Sequence, residues 1–146
     1  MDLSHLLPQA IAWAEAQCAR ICEEGAPLDA IQLRLARAVG VLHPQSIRVC
    51  TVNRVPAPTS LDLRRTAIAV GLIGSATVGL TFGYGIYVVE DCVTNRLLSH
   101  EFRHVQQYEA AGSITSFLTS YLGQLLALGY DNTSFEIDAR AHERDG

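Results

Sequence analysis

Leu97-Leu98-Ser99-His100-Glu101-Phe102-Arg103-His104-Val105 lies inside a run from Asn95 to Ala111 that is bounded by Thr94 and Gly112. A threonine suits the cap of a helix and a glycine its end, so the run reads as one helix. On that helix His100 and His104 are four residues apart. Their directions differ by about 40°, so both rings can reach one ion. Glu101 points about 100° from His100, close enough to meet a water held by such an ion without binding the ion itself. Neutral imidazoles suit Zn²⁺, and a catalytic zinc keeps three protein ligands so that water takes the fourth place. The plain alternative is a chance H-E-x-x-H string on a solvated face. Against it, the string is flanked by Leu97, Leu98, Phe102 and Val105 rather than set in a run of charges.

Toward the C-terminus, Ser113 caps a second helix that reaches Leu128 and stops at Gly129. Its apolar content, with Phe117, Leu118, Leu122 and Leu125, predicts burial on more than one side. The loop Tyr130-Asp131-Asn132-Thr133 leads into a last helix from Ser134 to Glu143. A third ligand is to be sought here among Glu136, Asp138, His142 and Glu143. Glu136 is the choice, because it begins a helix that a turn can fold back onto the histidine helix. Asp138, about 200° further round, faces elsewhere. The competing reading gives Glu136 no duty beyond an early-helix carboxylate set against the helix dipole.

Upstream, Thr77 to Val89 is rich in β-branched and aromatic residues and broken by glycines, which predicts strand, bend and strand. Ile47, Val49 and Thr51 alternate with Arg48 and Cys50 as a further strand. A short helix follows from Ser60 to Val70. Residues 4 to 23 and Leu28 to Val39 carry apolar positions three and four apart, so two more helices form a structural cover. The expectation is a single domain over 1–146, with a helical cover over 1–45 and the sheet, motif helix and distal-glutamate helix over 46–146.

Eleven Lys and Arg against fifteen Asp and Glu leave a net charge of −4, without a basic cluster, so no nucleic-acid partner is expected. The start lacks a basic segment before its apolar run, and Cys18, Cys22, Cys50 and Cys92 fit neither a disulfide framework nor a zinc ribbon. Free thiols in a cytoplasmic protein are expected. Cys18 and Cys22 share a helix face as small apolar residues. Thr66 to Val89 carries no charge and is long enough to cross a bilayer. Its five glycines and interspersed Ser and Thr favour buried strand and turn over a membrane anchor.

His100-Glu101-Phe102-Arg103-His104 followed by Glu136 resembles the H-E-x-x-H plus distal glutamate pattern of the gluzincin metallopeptidases. The chain also resembles a group of small bacterial proteins in which a Gly-Leu-Thr-x-Gly-Tyr-Gly-Ile segment precedes H-E-x-x-H-x-x-Q-Y-E. Gly79-Leu80-Thr81-Phe82-Gly83-Tyr84-Gly85-Ile86 and His104-Val105-Gln106-Gln107-Tyr108-Glu109 carry that likeness. The resemblance implies an α+β, zincin-like fold, mostly helical with a small sheet, and a Zn²⁺ held by His100, His104 and Glu136. It implies Glu101 as the general base of a peptidase and an extended peptide or protein substrate along residues 79–88. An oxyanion helper is also implied, with Tyr108 preferred over Tyr130 and His142. The pattern departs at Arg140, where an acid often supports a metal-bound histidine, and Asp138 is the substitute. Arg103 is expected to pair with Asp138 or Glu109 at the surface. The alternatives are a zinc-stabilised binding or structural module without turnover, and a protein anchored in a membrane through 66–89.

Overall fold

The computed structural model describes residues 3–146. Six helices and a four-stranded mixed sheet follow the chain as α1 (Leu3–Glu24), β1 (Ala26–Pro27), α2 (Ala30–Ala38), β2 (Arg48–Val52), α3 (Leu61–Ala69), β3 (Gly79–Phe82), β4 (Gly85–Val89), α4 (Asn95–Ala111), α5 (Ile114–Leu128) and α6 (Ser134–Ala141). The architecture is α+β, as the sequence predicts. The strand order is β1-β2-β4-β3, with β2 and β4 parallel and the other two pairs antiparallel.

β4 is buried on both faces, and this decides how the layers form. Ile86 and Val88 point into a core shared with α2 and α4, where Leu35, Val39, Leu98, Phe102 and Val105 pack. Tyr87, on the opposite face, joins a second core with Phe82 and residues of α1 and α5 such as Ala14, Ile21, Phe117 and Leu122. Successive strand residues alternate faces, so one short strand supplies both cores. The hairpin between β3 and β4 closes through Gly83 and Tyr84, with Phe82 paired to Gly85. Gly83 has φ +60°, the value that the first loop position of a type II′ turn requires and that glycine adopts without strain.

The uncharged stretch from Thr66 to Val89 resolves into the end of α3, a turn region and this hairpin. Among the described residues no helix is long and apolar enough to cross a membrane. Two helix boundaries differ from expectation. α2 starts at Ala30 because Asp29 accepts from the Gln32 amide at 2.8 Å while the Gln32 side chain accepts from the Asp29 amide, a reciprocal cap. α6 stops at Ala141, which leaves Glu143 beyond the helix and free to fold back. Ser60 precedes α3 but gives its hydroxyl to Gln9 on α1 rather than to its own helix. The four cysteines are free thiols, with the Cys18 and Cys22 sulfurs 4.0 Å apart on α1.

Glu109, near the end of α4, holds the loop after α2 to the hairpin turn. It accepts from the amides of Leu42 and His43 at 2.8 and 2.9 Å and from the Tyr84 hydroxyl at 2.7 Å. Burial and the Glu109 carboxylate push the Tyr84 phenol up to about 12, so it remains a donor throughout the neutral range. Replacing Glu109 by Ala leaves these donors without their acceptor and is expected to cost about 2 kcal/mol of stability. Chemical denaturation checks it, and an unchanged midpoint would remove Glu109 from the fold's supports.

Candidate metal centre

α4 carries two residues of the site and α6 the third. Thr94 caps α4 by accepting the Leu97 amide at 3.1 Å, and Gly112 ends it in the left-handed conformation at φ 91°. α6 is capped by the fully buried Thr133, whose hydroxyl accepts the Glu136 amide at 3.1 Å. The start of α6 is tied to α5 by Gln124, which donates to the Ser134 hydroxyl and accepts the Ser134 amide. A chain reversal through Gly129 and these two ties bring a residue 32 positions beyond His104 into contact with it.

His100, His104 and Glu136 meet in the interior, as the sequence predicts. Each imidazole Nε2 lies 3.2 Å from Glu136 Oε1, and one ligand atom from each of the three residues falls within 4.8 Å of the others. Glu136 is 2% exposed. Zinc bound tetrahedrally at 2.0–2.1 Å places its protein ligands about 3.3 Å apart, so the separation from Glu136 fits one ion between them.

The outer nitrogens decide what the inner ones can do. His100 Nδ1 lies 2.9 Å from Glu143 Oε2, an acceptor, so this nitrogen carries the hydrogen. His104 Nδ1 lies 2.8 Å from Gln107 Oε1. The Gln107 amide nitrogen is committed to two acceptors, Phe135 O at 3.0 Å and Asp138 Oδ2 at 2.9 Å, which fixes its oxygen toward His104. His104 Nδ1 is therefore also a donor. In both neutral imidazoles the lone pair then sits on Nε2, aimed at a carboxylate oxygen. Three lone pairs converging in a buried space repel one another unless a cation lies between them, and that cation can be a metal ion or protons on the imidazoles.

Without a metal the protons must serve. Burial disfavours a charged His104, yet the hydrogen bond and charge of Glu136 outweigh it and lift His104 to about 9. His100 is raised against the same burial, again through Glu136 and then Glu101. For Glu136, burial pushes upward, and its hydrogen bonds from His100 and His104 overcome this and hold its carboxyl well below the usual range.

Tyr121 donates to the second oxygen of Glu136 at 2.9 Å, which leaves Oε1 as the oxygen facing the imidazoles. Its phenol is held well above its ordinary value by burial and then by the Glu136 charge. Asp138 does not join the cluster. It receives Arg103 Nε at 2.8 Å and supports His104 through Gln107, while Arg103 also donates to Val39 O at 2.8 Å. The expected Arg103 to Asp138 pair thus belongs to the scaffold of the site. Glu143 occupies the supporting place that Arg140 leaves vacant, held by Arg96 Nη1 at 3.0 Å and by the contact of the Arg144 amide with Ser99 Oγ at 2.8 Å. His142 turns its Nδ1 to Asp138 O at 2.7 Å, away from the cluster.

Glu101 lies outside the three-residue cluster and is 4% exposed. Its Oε1 accepts the Thr81 hydroxyl at 2.8 Å, and its Oε2 lies where a β-carbon on Gly79 would stand 3.1 Å away. The edge strand β3 thus grips the Glu101 carboxylate, and only glycine at 79 allows that approach without displacement. Tyr108, expected as the oxyanion helper, is buried beside the sheet. Its ring stacks on Phe117 at 4.0 Å and its hydroxyl donates to Thr81 O at 3.3 Å, so it braces β3 from inside. Tyr130 instead borders Glu101 and Glu136 at the junction of two cavities, with its amide fixed to Val70 O at 3.1 Å. Burial, then the charges of Glu136 and Glu101, keep the Tyr130 phenol protonated well above its ordinary value.

No family model matches the chain, and neither the curated proteins nor the solved structures contain a match. The site's chemistry therefore rests on its own geometry.

Two outcomes test that geometry. Metal-free His104 binds its proton up to about pH 9 when folded, against 6.5 for the ordinary residue. The stabilisation from that proton is full below about pH 6.5 and is lost as pH rises through 9. The chelator-treated protein is expected to melt lower at pH 9 than at pH 6.5, and the His104→Gln variant to lose most of that slope. A flat wild-type profile in thermal unfolding overturns the proton arrangement. Separately, Glu143→Gln and Gln107→Leu are each expected to weaken divalent-ion binding about 10- to 100-fold in a chelator competition. Unchanged affinity in both would deny them a role in orienting the rings.

Proposed function

We propose that the protein is a zinc-dependent hydrolase that cleaves peptide bonds, in a fold of the zincin kind. The observation that carries this reading is the convergence of two imidazole lone pairs and a carboxylate oxygen on one buried point, with a further carboxylate beside it that is not spent on that point. Three protein donors of N and O type suit Zn²⁺ and leave one coordination place, as catalytic rather than structural zinc sites do. When bound, zinc would supply a Lewis acid that lowers the pKa of a water at that place to about 7 and polarises the carbonyl under attack.

The chain's own groups account for the rest. Glu101 takes the proton of the attacking water at the carboxylate that β3 holds, and returns it to the nitrogen as the carbon–nitrogen bond breaks. Atoms balance: one water adds its oxygen to the carbonyl carbon and its hydrogens to the acid and amine products. Tyr130, protonated and bordering both Glu101 and Glu136, donates to the oxygen that gains charge. β3 is the outer strand of the sheet. Since the Val89 amide bonds to Val78 O at 2.9 Å, the alternation of an antiparallel pair turns the backbone polar groups of Gly79 and Thr81 outward. Thr81 O is taken by Tyr108. Gly79 remains to pair with an extended substrate laid in the open groove that His100, Glu101 and Glu143 line.

A zinc-stabilised module without turnover is the competing reading. A structural zinc prefers four protein ligands, and among the described residues only His100, His104 and Glu136 form such a group. Metal analysis of the purified protein is expected to give one zinc per chain, lost in His104→Ala. Glu101→Gln is expected to keep the zinc and lose at least 100-fold in peptide hydrolysis, as a general base warrants. Metal loss in that variant, or full activity, contradicts the role of Glu101. Tyr130→Phe is expected to lower kcat about 100-fold at constant zinc content, and an unchanged kcat would return Tyr130 to the scaffold.

A further inference from the structure

Behind the candidate metal centre lies a second space that the proposed hydrolysis does not use. It is a partly open cavity of about 70 Å³. Its mouth is formed by Glu101, His104, Glu136 and Tyr130, and its deep wall by Leu6, Ala10 and Trp13 of α1, Leu63 and Ala67 of α3 and Leu122 of α5. The open groove on the other side of Glu101 meets it along Gly79, Glu101 and Tyr130, which line both. A chain lying in the groove can therefore send one group past Glu101 into the interior.

The deep wall offers carbon. The polar groups nearest to it are committed elsewhere: the Tyr108 hydroxyl to Thr81 O and the Tyr121 hydroxyl to Glu136 Oε2. At about 70 Å³ the cavity is about half the roughly 150 Å³ of an apolar cavity that accepts benzene, so it has room for a small branched aliphatic group rather than a ring. Water placed there would find few of the two to four polar partners it needs, so an apolar group displaces it with gain. The inner surface is also preformed, since Ala10, Ala14, Leu63, Phe82 and Leu122 are buried in one continuous core and Ala67 is buried as well.

We infer that this cavity is a specificity pocket that receives a branched aliphatic side chain of about three or four carbons next to the bond being cut. The substrates are then peptides with an apolar residue such as valine or leucine at that position, and α1 and α3 determine the choice. The inference rests on the metal-hydrolase reading for the position of the scissile bond. The pocket also gives the N-terminal helix a duty beyond covering the sheet.

The test compares two small zinc chelators on the zinc-loaded protein, leucine hydroxamate and glycine hydroxamate, by calorimetry. Each buried methylene contributes about 0.8 kcal/mol, about fourfold in affinity, so the isobutyl group is expected to tighten binding at least 30-fold. Ala67→Leu fills the pocket and is expected to reduce that preference below threefold while leaving glycine hydroxamate affinity and zinc content unchanged. Ala10→Leu, from the opposite wall, repeats the test should Ala67→Leu fail to fold. Methyl NMR is expected to move the Ala10 and Ala67 signals with leucine hydroxamate and not with glycine hydroxamate. Equal affinity of the two chelators overturns the pocket and leaves the metal reading standing. Failure of both to bind a zinc-loaded protein removes the open coordination place, and failure to load zinc removes the metal; either overturns the hydrolase reading and this inference with it.

Discussion

Two imidazole nitrogens and one carboxylate oxygen share a buried point, and the surrounding structure is organised to keep them there. Each component is costly alone: a carboxylate 2% exposed and two histidines on the same helix face belong in water unless something compensates. The compensation is layered. Tyr121 takes the second oxygen of Glu136, Glu143 and Gln107 take the outer nitrogens, and Asp138, itself held by Arg103, accepts from Gln107. No buried side-chain polar atom among the described residues lacks a partner, which is the condition for such a network to rigidify a core instead of weakening it.

This network also explains the layout of the helices. α4 must lie along the sheet so that β3 can reach Glu101, and it must also lie against α6 so that Glu136 can reach the histidines. The two cores built on the opposite faces of β4 satisfy both demands. Ile86 and Val88 fix α4 through Leu98 and Phe102, and Tyr87 and Phe82 fix α1 and α5. α5 then delivers the reversal at Gly129 that turns α6 back. Glu109 closes the far end of α4 onto the loop after α2 and the hairpin turn. The acidic residues of the motif region thus divide by duty. Glu101 stands beside the cluster, Glu109 builds the fold, Glu136 enters the cluster, and Asp138 and Glu143 orient rings.

The site is asymmetric in polarity as well as in shape. On the outer side lies a groove with charged and hydroxyl-bearing residues such as Arg96, Thr94 and Asp131. On the inner side lies a space walled by leucine, alanine and tryptophan. Glu101 and Tyr130 stand at the boundary, where a polar backbone and an apolar side chain of one ligand would part. Low-dielectric walls on one side strengthen the electrostatic interactions of the groups at the mouth.

Periodicity determined much of this by itself. The spacing of His100 and His104, the caps at Thr94 and Ser113, the stops at Gly112 and Gly129, and the β-branched run broken by Gly83 are local features, and local geometry follows from them directly. The choice of Glu136 over Asp138 also followed from helical phase. What sequence alone could not decide is what depends on distant partners. Gln107 lies three residues from His104 and was open to notice as its supporter, but the commitment of its amide to Phe135 and Asp138 is a matter of how α6 packs. Tyr121 sits in a helix that reads as uniformly apolar, Glu143 lies beyond the helix to which it was assigned, and Thr81 reaches Glu101 only because β3 is the edge strand. Tyr108 shares a helix face with the histidines, yet the stack of α5 draws its ring inward. A side chain's phase on its own element is fixed by a few neighbouring residues. Which group it meets is fixed by the packing of two cores, and that belongs to the whole chain.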